Sequence, residues 1–245
     1  MPRRAATLLP NLPPFRSEAL AQAARPRTLV DQVVDSLVES AAKGLILPGE
    51  RIVETDIARA LNVSRVPVRE ALRLLESQGI FTSEPYKGIR LMNVTSQRLH
   101  HILKVRASLE KLAVQEAIEL GRNRDAGILR LERVLEEMAE LAKHGDNFGL
   151  AKCDAEFHRT LCALSGNEPL SAMWETLARQ LTIIFGLSSF EKPLDVIVAE
   201  HVTLTDRFRR GDPAALERAL DDHIIEQVEE VDFADIIARK REAKR

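Results

Sequence analysis

The sequence predicts a mainly α chain: an N-terminal winged helix-turn-helix domain followed by an all-α antiparallel six-helix bundle. Three observations carry that expectation. Only 4% of the 245 residues are aromatic and runs rich in Val, Ile and Thr are few, a bias towards helices. Residues 28–94 read in the order helix, helix, turn, helix, hairpin. From Thr95 onward six periodic helical segments follow, joined by short connections, with no strand among them.

Residues 1–27 hold five prolines and no sustained period, and are predicted to be a disordered arm. The charges of "MPRRAATLLPNLPPFRSEAL" suit a signal peptide, but its continuous apolar core is missing. An Arg-rich transit peptide stays open on composition, with a flexible tail preferred. From Thr28, the residues Val30, Val33, Val34, Leu37 and Val38 form a helical stripe that stops at Gly44. "LILPGERIVE" reads as an extended connector with a Pro-Gly turn. A short helix runs from Glu54 to about Leu61. "NVS" turns the chain, and Ser64 is a natural N-cap for a helix from Arg65 to about Gln78. Pro67 is tolerated in that first turn, where amides lack helical partners. Gly79 ends the helix, and "IFTSEPYKGIRLMNV" reads as two short strands around a turn at Pro85–Gly88.

The second domain, residues 95–236, is predicted to hold helices at about 96–120, 124–144, 147–165, 168–187, 194–210 and 213–236. Gly121 and Gly166 are stops, Asn167 is a cap, and "GDP" at 211–213 reads as stop, N-cap and first-turn proline. The basic end, residues 237–245 with "RKREAKR", reads as a solvated tail. No apolar run approaches the roughly 18 residues that span a bilayer, so no membrane partner is expected. Cys153 and Cys162 fall on opposite faces of one predicted helix, too far apart for a disulfide. Two unpaired cysteines suit a reducing cytoplasm, and a cytoplasmic location is expected. Residues 1–94 carry 13 Lys and Arg against 10 Asp and Glu, and residues 95–245 carry 22 against 27. That asymmetry allows a nucleic-acid surface in the first part without making the chain a general polyanion binder.

Arg65 and Arg69 lie four residues apart on the outward side of the third helix, in the turns that meet base edges in a major groove. Arginine there can fork onto guanine O6 and N7. Ser64 and the first-turn amides can donate to phosphate. The alternative is a solvated face, with Arg69 paired to Glu70, or Arg73 to Glu76. "VSRVPVREALRLLESQGI", preceded by "LPGERIVETDIARAL" and followed by "YKGIRL", resembles the N-terminal domain of GntR-family transcription regulators. The resemblance implies that Arg65 and Arg69 read bases or phosphates and that the Lys87–Gly88 wing tip reaches a minor groove. It also implies that Arg59 approaches the backbone. Thr55 stands where some members carry a further arginine, which puts a contact there in question.

In "CDAEFHRTL", Asp154 and His158 are one helical turn apart and can grip one ion together. His201 falls on an inner face with Val198, Leu204 and Phe208, and His223 falls with Leu216, Leu220 and Gln227. Three imidazoles and a carboxylate aimed into one apolar interior need partners, and a divalent cation satisfies all four. Each histidine taken singly reads more often as a satisfied core residue than as a ligand. His100, His101 and His144 show no such pattern. The hallmarks "DAEFHRTL…SGN" and "EH…GDPAALERALDDH" resemble the ligand-binding FCD domain of the FadR subfamily, nearer its VanR-like six-helix branch. The resemblance implies a metal on Asp154, His158, His201 and His223. Zinc, nickel, iron or manganese fits such a donor set. It further implies that Arg106, in "VRASLEKLA", meets the carboxylate of an effector, against the alternative of an intrahelical pair with Glu110. Thr182, Thr205 and Gln227 are lesser candidates for the pocket wall.

The function expected is a DNA-binding transcription regulator, a repressor by preference. A homodimer on a short palindromic operator would be tuned by a small organic acid at the metal. A regulator with a purely structural metal, or one sensing the metal alone, is the alternative. A metalloenzyme fits less well, because the nucleophile and acid–base constellations of an enzyme are absent near these motifs.

Overall fold

The structure is a computed structural model that describes residues 27–84, 88–188, 193–225 and 231–244. Most of the expected N-terminal arm, Lys87 and Gln227 lie outside the described residues. Helix α1 spans Leu29–Ala42, and Thr28 closes a capping box with Asp31 at its start. It buries Val33, Val34, Leu37, Val38 and Ala41 on one face, as the stripe predicts. Helices α2 (Glu54–Ala60) and α3 (Arg65–Ser77) form the helix-turn-helix. Asn62, at φ 52°, turns the chain between them. Strands β2 (Phe81–Glu84) and β3 (Gly88–Leu91) form the hairpin.

A third strand, β1 (Arg51–Ile52), lies in the stretch expected to be a plain connector. It pairs antiparallel with β3, Arg51 opposite Arg90, and the sheet order is β1-β3-β2. Two residues are too few to show an alternating pattern. Their pairing is fixed by the wing: Leu91 N–H donates to Glu50 O at 3.2 Å, and Gly49 N–H donates to Leu91 O at 3.0 Å. Gly88 enters β3 at φ +76°, a left-handed backbone that favours glycine.

The second domain contains α4 (Ser96–Glu119), α5 (Asp125–Lys143), α6 (Asn147–Ala163), α7 (Glu168–Ser188), α8 (Leu194–Arg210) and α9 (Pro213–Ile224). The cap signals act as expected. Asn167 Oδ1 accepts from Leu170 N–H at 3.1 Å, Gly211 is left-handed at φ 71°, and Asp212 accepts from Ala215 N–H. No helix among the described residues is long and apolar enough to cross a membrane.

The last predicted helix is corrected, while the basic end stays largely exposed. α9 stops at Ile224, and a separate α10 spans Phe233–Ala243, capped by Asp232. Phe233, Ile236 and Ile237 bury one stripe of α10, which docks the basic run that follows. Arg241 donates to Pro48 O at 3.1 Å, and Lys244 donates to Leu45 O at 2.7 Å and pairs with Glu50 at 2.8 Å. Basic side chains that read as solvent-facing therefore satisfy the carbonyls of the loop leaving α1.

The two domains share one apolar core. α1 lies on α7 at Gly186, where an added Cβ would be 2.7 Å from Ala42 Cβ and 3.1 Å from Ala42 O. Polar ties lie beside it. Arg98 of α4 donates to Gly79 O at 3.0 Å and to Gln180 Oε1 at 2.9 Å, and Gln180 of α7 donates to Gln78 O at 2.8 Å. Gly186→Val should force α1 and α7 apart and cost roughly 1–3 kcal/mol. A thermal melt should show a drop of several degrees, while Met173→Val on the exposed side of α7 leaves it within error.

Candidate metal centre and DNA-reading face

Four side chains from three helices meet inside the bundle. Asp154 and His158 come from α6, His201 from α8 and His223 from α9, and one ligand atom of each lies within 4.8 Å of all the others. His158 and His201 are fully buried. His201 Nε2 is 3.1 Å from Asp154 Oδ1, His158 Nε2 is 4.0 Å from the same oxygen, and His223 Nε2 is 3.3 Å from His158 Nε2. Phe157 packs edge-on against the His158 and His201 rings and fixes their planes.

The opposite ring nitrogens show which atoms are free to coordinate. His201 Nδ1 donates to Ile197 O at 2.8 Å, one turn earlier in its own helix. His158 Nδ1 donates to Glu110 Oε2 at 2.6 Å. Those bonds assign the proton to Nδ1 in both rings, leaving each Nε2 with its lone pair facing Asp154 and His223. Lone pairs converging at these distances repel unless a cation lies among them. His201 Nε2 has no hydrogen-bond partner among the described residues. A histidine whose outer N–H is held by a carboxylate or a carbonyl is the usual support of a metal ligand. The residues present therefore fit a divalent cation.

The electrostatics agree. Burial drives His223 down to about 3, helped by the nearby His201 and His158 and opposed by Glu200. Burial likewise lowers His158, with the Arg106 charge adding to it. Both rings are neutral near pH 7, the form that coordinates. Burial alone would raise Asp154 and Glu110. The close polar contact with His201 and the Arg106 charge hold Asp154 far below the usual carboxylate range, and His158 and Arg106 bring Glu110 to about 2.

Glu110 is the residue that sequence reasoning underused. It entered only as a rival partner for Arg106, and that pair exists: Arg106 Nε donates to Glu110 Oε1 at 2.8 Å, both side chains buried. The same carboxylate also orients His158. Arg106 Nη2 lies 3.9 Å from Asp154 Oδ2 and finds no hydrogen bond among the described residues. Trp174 of α7, also missed, is buried with Nε1 unpartnered, and its ring lies 5.7 Å from Arg106 Cζ. Thr205 is buried one turn after His201 and donates to His201 O. Thr182 donates to Ala178 O and lines a different cavity, of about 450 Å³, with Val38, Phe148 and Arg179, whose wall includes none of the four clustered groups. That cavity is walled in part by α1, through Val38 and Glu39. Cys153 and Cys162 are buried and unpaired, and burial raises the Cys153 thiol to about 12.

On the first domain, Arg65 and Arg69 project from the first two turns of α3, their side chains 59% and 50% exposed. The expected surface partner, Glu70, is not what holds Arg69. Glu54, at the start of α2, does, at 3.1 Å, and it also meets Arg65 at 3.4 Å. Ser64 stands at the N-cap, yet its hydroxyl makes no capping bond to the first-turn amides. Arg59 is exposed beside Asp56, and Gly88 stands at the wing.

Without an ion among them, the buried rings are open to titration. His223 falls from the ordinary 6.5 to about 3, so between these values the unfolded chain binds more protons than the folded one. Chelator-treated protein should therefore be fully stable above about pH 6.5 and lose stability steadily below it. Melts at pH 7.5, 6.0 and 5.0 should show that decline, shallower in His223→Gln.

Comparison with known proteins follows the same division. Residues 29–91 match the family of bacterial regulatory proteins, gntR family, and residues 101–226 match the FCD domain. The chain is 30% identical over 197 residues to a probable D-xylose utilization operon transcriptional repressor of Paenarthrobacter nicotinovorans, covering 80% of this chain and 86% of that one. Its fold is similar to E. coli McbR/YncC, with a TM-score of 0.67, 22% identity, and 90% of this chain and all of that chain covered. It is also similar to a putative GntR regulator from Rhodococcus sp. RHA1, with a TM-score of 0.64, 20% identity, and 88% and 99% covered. The chain is a DNA-binding transcription regulator of the GntR family, its winged helix-turn-helix joined to an FCD effector-binding domain and not to an enzyme.

Proposed function

We propose that this regulator binds a divalent cation through Asp154, His158, His201 and His223, and that a small organic acid bound there alters its hold on operator DNA. The observation that carries the reading is the convergence of three imidazole Nε2 atoms and a carboxylate oxygen whose outer neighbours, Glu110 and Ile197 O, keep the lone pairs inward. When bound, the ion would supply Lewis-acid positions for a carboxylate. Three imidazoles and one carboxylate accept zinc, nickel, iron or manganese. Arg106 Nη2 and Trp174 Nε1 are two buried donors without partners among the described residues, and a carboxylate is the ligand that answers both. Thr205 and Gln227 remain candidates for the same wall.

The chain's own residues offer the coupling. Arg106 and Glu110 are on α4 and Trp174 is on α7, the two helices whose Arg98 and Gln180 hold the C-terminal end of α3. A ligand that shifts α4 against α7 moves the recognition helix. Differential binding of about 1–3 kcal/mol would change operator affinity roughly 5–150-fold. Arg65, Arg69 and Ser64 would contact bases and phosphates, with Arg59, Lys87 and Gly88 flanking them. A homodimer would place two heads on a short palindrome.

His223→Ala should lower the bound metal, measured by elemental analysis of purified protein; a full stoichiometric ion in that variant would remove His223 from the ligand set. Titration calorimetry with sugar acids, hydroxy acids and dicarboxylates should give heat that chelator abolishes and Arg106→Ala weakens. Binding that survives both would leave the metal a structural element only. Arg69→Ala should weaken operator binding by roughly 5-fold or more at unchanged bundle stability, read by footprinting.

A further inference from the structure

Arg69 carries a neighbour that a DNA-reading surface would be expected to avoid. Glu54, the first residue of α2, turns its carboxylate onto the recognition helix. Oε1 accepts from Arg69 Nε at 3.4 Å, and Oε2 accepts from Arg69 Nη2 at 3.1 Å and from Arg65 Nη2 at 3.4 Å. A negative charge there repels phosphate and weakens binding to any duplex. An exposed ion pair of this kind also contributes little to stability.

The geometry accounts for its presence. A guanidinium presents two forks, one made by Nε with one amino group and one made by the two amino groups. Glu54 takes the Nε and Nη2 side of Arg69, so the end fork that includes Nη1 points away from it. Guanine O6 and N7 accept a fork of that kind. Glu54 is the less mobile partner: its side chain is 22% exposed against 50% for Arg69. It therefore holds a long side chain that would otherwise sample many rotamers and lose that freedom on docking. The hydrogen bond from Arg69 is the foremost cause keeping the Glu54 carboxyl below its ordinary range, so the buttress is charged at neutral pH.

We propose that Glu54 is a specificity-determining positioning residue, which presents the end fork of Arg69, and secondarily Arg65, to a guanine while making contact with unrelated sequences less favourable. Discrimination is gained by the repulsive element as much as by the attractive one. The proposal rests on the reading of Arg65 and Arg69 as DNA contacts.

The test uses the full chain and a duplex selected by it from a random library, with a scrambled duplex of equal length and composition as reference. Glu54→Gln should leave the melting temperature unchanged and bind the scrambled duplex as tightly or more tightly. It should cut the ratio of selected to scrambled affinity roughly 5-fold or more. The penalty for replacing one G·C pair of the half-site by A·T should shrink in the same variant. In an Arg69→Ala background, Glu54→Gln should change the ratio no further. A Glu54→Gln protein that tightens on both duplexes equally would make Glu54 a mask and overturn the proposal. A large fall in melting temperature would make it a structural brace and overturn it too. If Arg69→Ala alone leaves the ratio intact, the recognition-helix reading itself fails, whatever Glu54 does.

Discussion

Burying ionisable groups in a helical interior is the constraint around which the second domain is arranged. Arg106, Glu110, Asp154, His158 and His201 are all hidden from water among leucines and aromatics. An isolated charge there would cost several kcal/mol or would neutralise. The set is tolerable because each member answers another: Glu110 joins Arg106 to His158, Asp154 lies between Arg106 and His201, and Ile197 O takes the outer proton of His201. Partly satisfied networks are the costly ones. Among the described residues five buried side-chain atoms lack a partner, and four of them, His201 Nε2, His223 Nδ1, Arg106 Nη2 and Trp174 Nε1, are gathered in this region; the fifth is Arg98 Nε. The folding of α4, α6, α7, α8 and α9 around that region is thus inseparable from the polar chemistry at its centre.

Much of this was legible in the residues. The i, i+4 spacing of Asp154 and His158, and the apolar neighbours of His201 and His223, place all four on inner faces once the segments are helical. Helix boundaries were legible wherever a glycine or an Asx cap marked them, as at Gly211–Asp212. What escaped did so for physical reasons. β1 is two residues long, below any period. Glu110 sits four residues from Arg106, and that spacing hides a second interaction behind the obvious first. Thr182 is on the same long helix as Trp174, and eight residues carry it to another groove; spacing along one helix does not say which neighbour each face meets. α10 was misread because its basic run outweighs the short apolar stripe, and because Asp232, a good N-cap, stands inside what reads as a continuing periodic segment.

The head and the helical domain meet through close contacts of two kinds. Gly186 lets α7 approach Ala42 nearly backbone to backbone, a contact that transmits displacement because it has no slack. Arg98 and Gln180 hold the carbonyls of Gln78 and Gly79, the last acceptors of the recognition helix, so that end of α3 follows the bundle rather than solvent. The opposite end, with Arg65 and Arg69, projects outward. A rigid helix held at one end turns small shifts at its anchor into larger ones at its tip.

The docking of α10 adds a temporal condition. Arg241 and Lys244 cap carbonyls 193 and 199 residues earlier in the chain. At synthesis rates of roughly 5–20 residues per second, the loop after α1 waits about 10–40 s before its partners exist. During that interval the carbonyls of Leu45 and Pro48 are left to water and the carboxylate of Glu50 has no lysine, so the nascent head completes its underside only after the bundle has been made.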